Sequence, residues 1–122
     1  MSNSSILVSG PTIAKDEELV NKLQSIAVVL KNSQNTKIET ILKDQKVDLI
    51  LFEMLEETAS ELRLIKKIKT GFPNIAIILI NGDREFMAEA FSYGVKDAFR
   101  KPYKCSLIAE RVNAILQEVN DN

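Results

Sequence analysis

Glu53 closes a continuous apolar run, Val47-Asp48-Leu49-Ile50-Leu51-Phe52-Glu53-Met54. A run of this kind, with little alternation, reads as a strand buried on both faces. Open α/β sheets bind ligands in the loops at the carboxyl ends of such strands. Glu53 therefore stands where chemistry is expected. Ser9-Gly10-Pro11-Thr12, after the short run Ile6-Leu7-Val8, offers hydroxyls and a glycine to a phosphate at a helix start. Asn81 and Lys101 follow two later apolar runs. There is no His and one Cys, Cys105, which excludes an internal disulfide, His/Cys metal sites and His-based triads. Nothing in the sequence lowers the pKa of Cys105, so it reads as structural.

The elements that must position these residues alternate. Ile6-Leu7-Val8 is a first strand. Asp16, Glu17 and Glu18 open a helix striped by Leu19, Val20 and Leu23. Residues 26–30 form a second strand and 31–35 a polar loop. Thr36 and Glu39 form a capping box for a helix lined by Ile38, Ile41 and Leu42. After Glu53, Thr58 and Glu61 form a second capping box, and Leu62, Ile65 and Ile68 recur at helical spacing until Gly71 and Pro73. Residues 75–80 are a fourth strand. Asp83 caps a helix striped by Met87, Ala90 and Phe91, which ends near Gly94. Residues 98–100 are a short fifth strand. Ser106 caps a last helix lined by Ile108, Val112, Ile115 and Val119.

Five strand–helix alternations imply an α/β fold, a parallel sheet with helices on both faces. The flavodoxin-like order 2-1-3-4-5 is expected, with its switch point between strands one and three. The crevice then gathers residues 9–12, Glu53 and the loops beyond Ile80 and Arg100.

The 122 residues read as one domain, 1–122, with 1–5 a disordered leader. Sixteen basic and seventeen acidic residues give a net charge of −1, no field for nucleic acid or an anionic membrane. Residues 1–5 lack a signal pattern, and no apolar stretch reaches membrane-spanning length, so a cytoplasmic location is expected. Lys66, Lys67 and Lys69 read as a solvated helix face. Lys96, Arg100, Lys101 and Lys104 cluster near one edge.

The chain resembles the receiver domains of two-component response regulators over nearly its whole length. The run 47–53 is similar to the family's third strand, which ends on the phosphorylated aspartate. Phe99-Arg100-Lys101-Pro102-Tyr103 resembles its lysine–proline segment, and Gly94-Val95-Lys96-Asp97 the turn before it. The spacing of Glu53, Asn81 and Lys101 fits as well. The resemblance implies a cis bond at Lys101–Pro102. It also implies contacts to a protein partner through the fourth helix, fifth strand and fifth helix, by residues such as Glu85, Glu89, Arg100, Glu110 and Arg111. A histidine kinase or a fused output domain is such a partner.

Against that family the departures are specific. Ser9 and Gly10 stand where two acids hold Mg²⁺. Glu53 replaces the phosphoacceptor aspartate, Asn81 the phosphate-binding hydroxyl residue, and Ala98 the switch aromatic. Glu57 and Glu61 replace the proline and glycine of the loop after the acceptor. Phosphoryl transfer depends on positioning and on neutralising charge, which Mg²⁺ usually supplies. Glu53, with Glu56 or Glu57, offers such a cation at most weak binding, and no cofactor is expected. The longer side chain carries the carboxylate about 1.5 Å further out, and misplacement by about 1 Å costs roughly a hundredfold in rate. That reach also lets Glu53 pair with Lys101 and fill the space of an aspartyl phosphate.

The resemblance thus implies a non-enzymatic signalling module of a two-component phosphorelay, a pseudo-receiver acting through protein–protein interaction. Two alternatives remain: an active receiver taking a phosphoryl group from a histidine kinase, and a small FMN- or nucleotide-binding protein. A lone glycine at 9–12, two Tyr and no Trp argue against FMN.

Overall fold

The computed structural model describes residues 4–55, 58–81 and 84–120. Among these, five strands, β1 (Ser5–Ser9), β2 (Val28–Asn32), β3 (Leu49–Glu53), β4 (Ala76–Ile80) and β5 (Asp97–Phe99), alternate with five helices. The helices are α1 (Glu17–Gln24), α2 (Ile38–Asp44), α3 (Thr58–Gly71), α4 (Arg84–Ser92) and α5 (Cys105–Asn120). The sheet is parallel throughout, in the expected order β2-β1-β3-β4-β5.

Strand periodicity divides the core into two layers. Ile6, Val8, Leu49, Leu51, Ile78 and Ile80 face α1 and α5, against Leu19, Leu23, Ile108, Val112 and Ile115. Leu7, Ile50, Phe52, Ile77 and Leu79 face α2, α3 and α4, against Ile38, Leu42, Leu62, Ile65, Ile68 and Ala90. β1, β3 and β4 lie between both layers, which is why their sequences hardly alternate. The same parity places the site. Glu53 continues Leu49 and Leu51 toward the α1/α5 side, whereas Ser9 continues Leu7 toward α2.

Several sequence expectations shift. Ser4 is buried and Ser5 opens β1, so neither belongs to a disordered leader; residues 1–3 lie outside those described. β2 runs further into the polar segment than expected, because Lys31 and Asn32 pair with Val8 and Ser9. Ile26 and Ala27 close α1 instead, both donating to Leu23 O. A 3-10 turn, Asn35–Lys37, precedes α2 and takes up Thr36, so no Thr36 cap forms. Glu61 accepts from Leu55 N at 2.7 Å, tying α3 back to the end of β3. Ser106 lies inside α5, whose first turn is closed by Lys104 O accepting from Leu107 N and Ile108 N. On α4, Phe91 is 45% exposed and Phe86 packs inward in its place. Asp83, the Thr58 side chain and the Val119 side chain lie outside the described residues.

The three lysines of α3 are not a uniformly solvated face. Lys69 donates to Pro73 O and Ile75 O, at 3.0 and 2.7 Å. Burial, and then the charge of Lys96, hold its ammonium pKa below the ordinary value. Lys67 pairs with Glu39 at 3.4 Å, and Lys66 lies 5.6 Å over the ring of Tyr93.

Candidate functional site

The crevice at the carboxyl ends of β1 and β3 is closed by a carboxylate of the chain itself. Glu53 is fully buried. Its Oε1 accepts from Thr12 N at 2.9 Å and Ile13 N at 3.2 Å. Its Oε2 accepts from the Thr12 hydroxyl and from Lys101 Nζ in short contacts. Lys101 Nζ also reaches Thr12 Oγ1 at 2.8 Å. The expected Glu53–Lys101 ion pair therefore forms. The Thr12 and Ile13 amides are free to donate because they begin a 3-10 turn, Ile13–Lys15, where early N–H groups lack partners.

The loop that brings these amides to Glu53 depends on Gly10. Its φ is +147°, and a Cβ there would overlap Glu53 Cβ and Oε1. The Glu53 side chain occupies the space that any side chain at position 10 would need. The Gly10 N–H donates to Asn32 O at 2.8 Å.

Ser9, on the opposite side of the sheet, enters a neutral network. Its hydroxyl donates to Asn35 Oδ1 at 2.6 Å and accepts from Asn32 Nδ2 at 2.9 Å. Asn35 Nδ2 donates to Glu53 O at 2.8 Å. Asn32 and Asn35 are site residues that sequence reasoning left in a polar loop. Their signal was their place just past β2, beside the switch point.

Asp16 serves as a helix cap, its Oδ1 accepting from Leu19 N at 3.1 Å. Its Oδ2 accepts from Tyr103 Oη at 2.6 Å and lies 3.9 Å from Cys105 Sγ. Burial first, and then Asp16, push the pKa values of both Tyr103 and Cys105 upward. Asn81 sits at the end of β4 with φ 67° and its N–H on Phe99 O, an exposed turn residue. Ala98 lies half-buried in β5 against the α4 side. The Lys101–Pro102 peptide is cis. Glu56 and Glu57 lie outside the described residues.

Burial pushes the pKa of Glu53 up. The donors outweigh it, Lys101 first and then the Thr12 and Ile13 groups, and the net value is below the ordinary 4.5. A lowered carboxylate pKa stabilises the fold above the ordinary value and ceases to do so as pH falls through the folded one. The stability difference between wild type and Glu53→Gln is therefore expected to be flat near neutral pH and to shrink below 4.5. Urea titrations from about pH 7 to about pH 3 measure it.

Neither a family model nor a curated protein sequence matches the chain. Solved structures do. A response regulator from Thermotoga maritima matches with TM-score 0.82 at 22% identity, over 95% of this chain and 99% of that one. A CheY-like response regulator receiver domain protein from Methanospirillum hungatei JF-1 gives 0.85 at 16%, over 98% of each. The signal receiver domain of an HD domain-containing protein from Pseudomonas fluorescens Pf-5 gives 0.84 at 17%, over 99% and 100%. The chain has the receiver fold.

Mg²⁺ at the carboxyl end of a receiver sheet requires oxygen ligands that carry charge. At this site Glu53 is enclosed by an ammonium, a hydroxyl and two N–H groups, and Ser9 is enclosed by two amides. No group of three or more metal-binding side chains occurs among the described residues. Among the described residues, the groups gathered on Glu53 are donors, which suit an anion and do not fit Mg²⁺. None of the helices among those residues is long and apolar enough to cross a membrane.

Proposed function

We propose that this chain is a receiver-like signalling module of a two-component phosphorelay. It takes no phosphoryl group by the Mg²⁺-dependent route, catalyses no reaction and acts by binding a protein partner. One observation carries the reading. The donors able to hold a phosphoryl group, the Thr12 and Ile13 amides, the Thr12 hydroxyl and Lys101, close on the Glu53 carboxylate. The site carries its own anion in place of a transferred one. The location that suits this role is cytoplasmic.

The partner surface in this reading is α4, β5 and α5, where Phe91 and Leu107 are 45% and 49% exposed. Glu85 and Glu89 on α4 and Glu110 on α5 are exposed, as is Arg100 just past β5. Arg111 is pinned by Asp97 at 2.9 Å and is less available than its sequence position implies.

Incubation with a small-molecule phosphodonor and Mg²⁺ is expected to leave the intact mass unchanged, and partner affinity equal with and without donor. A stoichiometric gain of one phosphoryl group, abolished by Glu53→Gln, overturns the proposal in favour of an active receiver.

A further inference from the structure

Two side-chain ties cross between the same two loops. Lys101, in the β5–α5 loop, donates to Thr12 in the β1–α1 loop and to Glu53 at the end of β3, which Thr12 also holds. Two residues on, Tyr103 donates to Asp16, at the far end of the β1–α1 loop. Asp16 cannot drift, because its other oxygen caps α1. Tyr103 is held as well, since its ring packs half-buried on the α1/α5 core layer. Pro102 joins the two donors, and proline fixes one torsion of that short link. Between the ties lies an open groove of about 560 Å³, lined by Thr12, Asp16, Lys101, Pro102 and Tyr103.

We propose that Tyr103 is a positioning residue, and that the Tyr103–Asp16 bond and the Lys101–Glu53 pair form a two-point clasp opening as one unit. The proposal rests on the reading of the site as closed by its own carboxylate. It adds a route for regulation. Lifting Tyr103 off Asp16 releases Lys101 from Glu53 without any chemistry at Glu53. The partner then meets one of two loop states, clasped or free, instead of a graded series.

The rate at which acetic anhydride acylates Lys101, read by peptide mass spectrometry with Lys31 as internal reference, tests this. Tyr103→Phe keeps the ring and removes one hydrogen bond. It is expected to speed Lys101 acylation about fivefold, the scale of one net hydrogen bond, with Lys31 unchanged. Glu53→Gln is the control and is expected to speed it as well. Faster acylation in Glu53→Gln with no change in Tyr103→Phe overturns the clasp and leaves the closed site standing. No change in Glu53→Gln overturns the closed site, and the clasp with it.

Discussion

Glu53→Ala is expected to lower folding stability by about 3 kcal/mol, the lower end of the range for breaking a buried ion pair from one side. The low end applies because the partners differ in exposure. The Glu53 side chain is 1% exposed and that of Lys101 is 35%, so a released ammonium recovers part of its hydration. The larger part of the loss lies with the amides. Thr12 N and Ile13 N would face a cavity with no acceptor, and each buried unsatisfied group costs about 1–3 kcal/mol. Glu53→Gln separates the two contributions. It keeps an oxygen for the amides and loses the charge that holds Lys101, so about half the loss is expected. Urea unfolding of the three proteins should order them wild type, then Gln, then Ala. Equal losses for Gln and Ala would assign the whole effect to the ion pair and none to the amides.

The fold was legible because its signal is local. Apolar runs without alternation mark β1, β3 and β4, and stripes at helical spacing mark the helices between them. Errors fell where a neighbour outside the local sequence decides the outcome. Lys31 and Asn32 are strand residues because β1 offers them a ladder, and nothing in their types says so. Phe86 and Phe91 are five residues apart on α4, and either fits an apolar stripe until the sheet fixes which one faces it. At the site, the Glu53–Lys101 pair was expected from the extra reach of Glu53 taken together with the receiver-like spacing of Lys101. Thr12 was placed in the crevice with residues 9–12 but not as a partner of Glu53, and Asn32 and Asn35 were left outside it, since hydroxyl and amide side chains look alike in any polar loop. The Tyr103–Asp16 bond joins residues 87 positions apart, and no spacing rule reaches that far.

Gly10→Ala is expected to be the most damaging small substitution in the chain, costing about 3 kcal/mol or more when left-handed backbone strain and overpacking are combined. The two contributions have separate origins. At φ +147° a side chain is strained whatever the space around it, and the added Cβ would also overlap Glu53. The overlap involves Glu53 Cβ as well as the flexible carboxylate, so shortening residue 53 cannot relieve it fully. Gly71→Ala is the matched control, at the end of α3 with nothing within 4 Å of its Cβ. That change is expected to be neutral or to stabilise by about 0.4–1 kcal/mol through reduced unfolded-state entropy. Thermal and urea unfolding of both variants measure the contrast. A mild effect at Gly10 would mean that the loop has a second backbone path, one with room for a side chain. Gly10→Asp would then place an acid beside β3. A severe effect means that the β1–α1 loop is built around Glu53, so an aspartate at position 53 would not by itself make a cation site. Gly10 and the longer carboxylate at position 53 would then be one structural arrangement, joined through the backbone at Gly10.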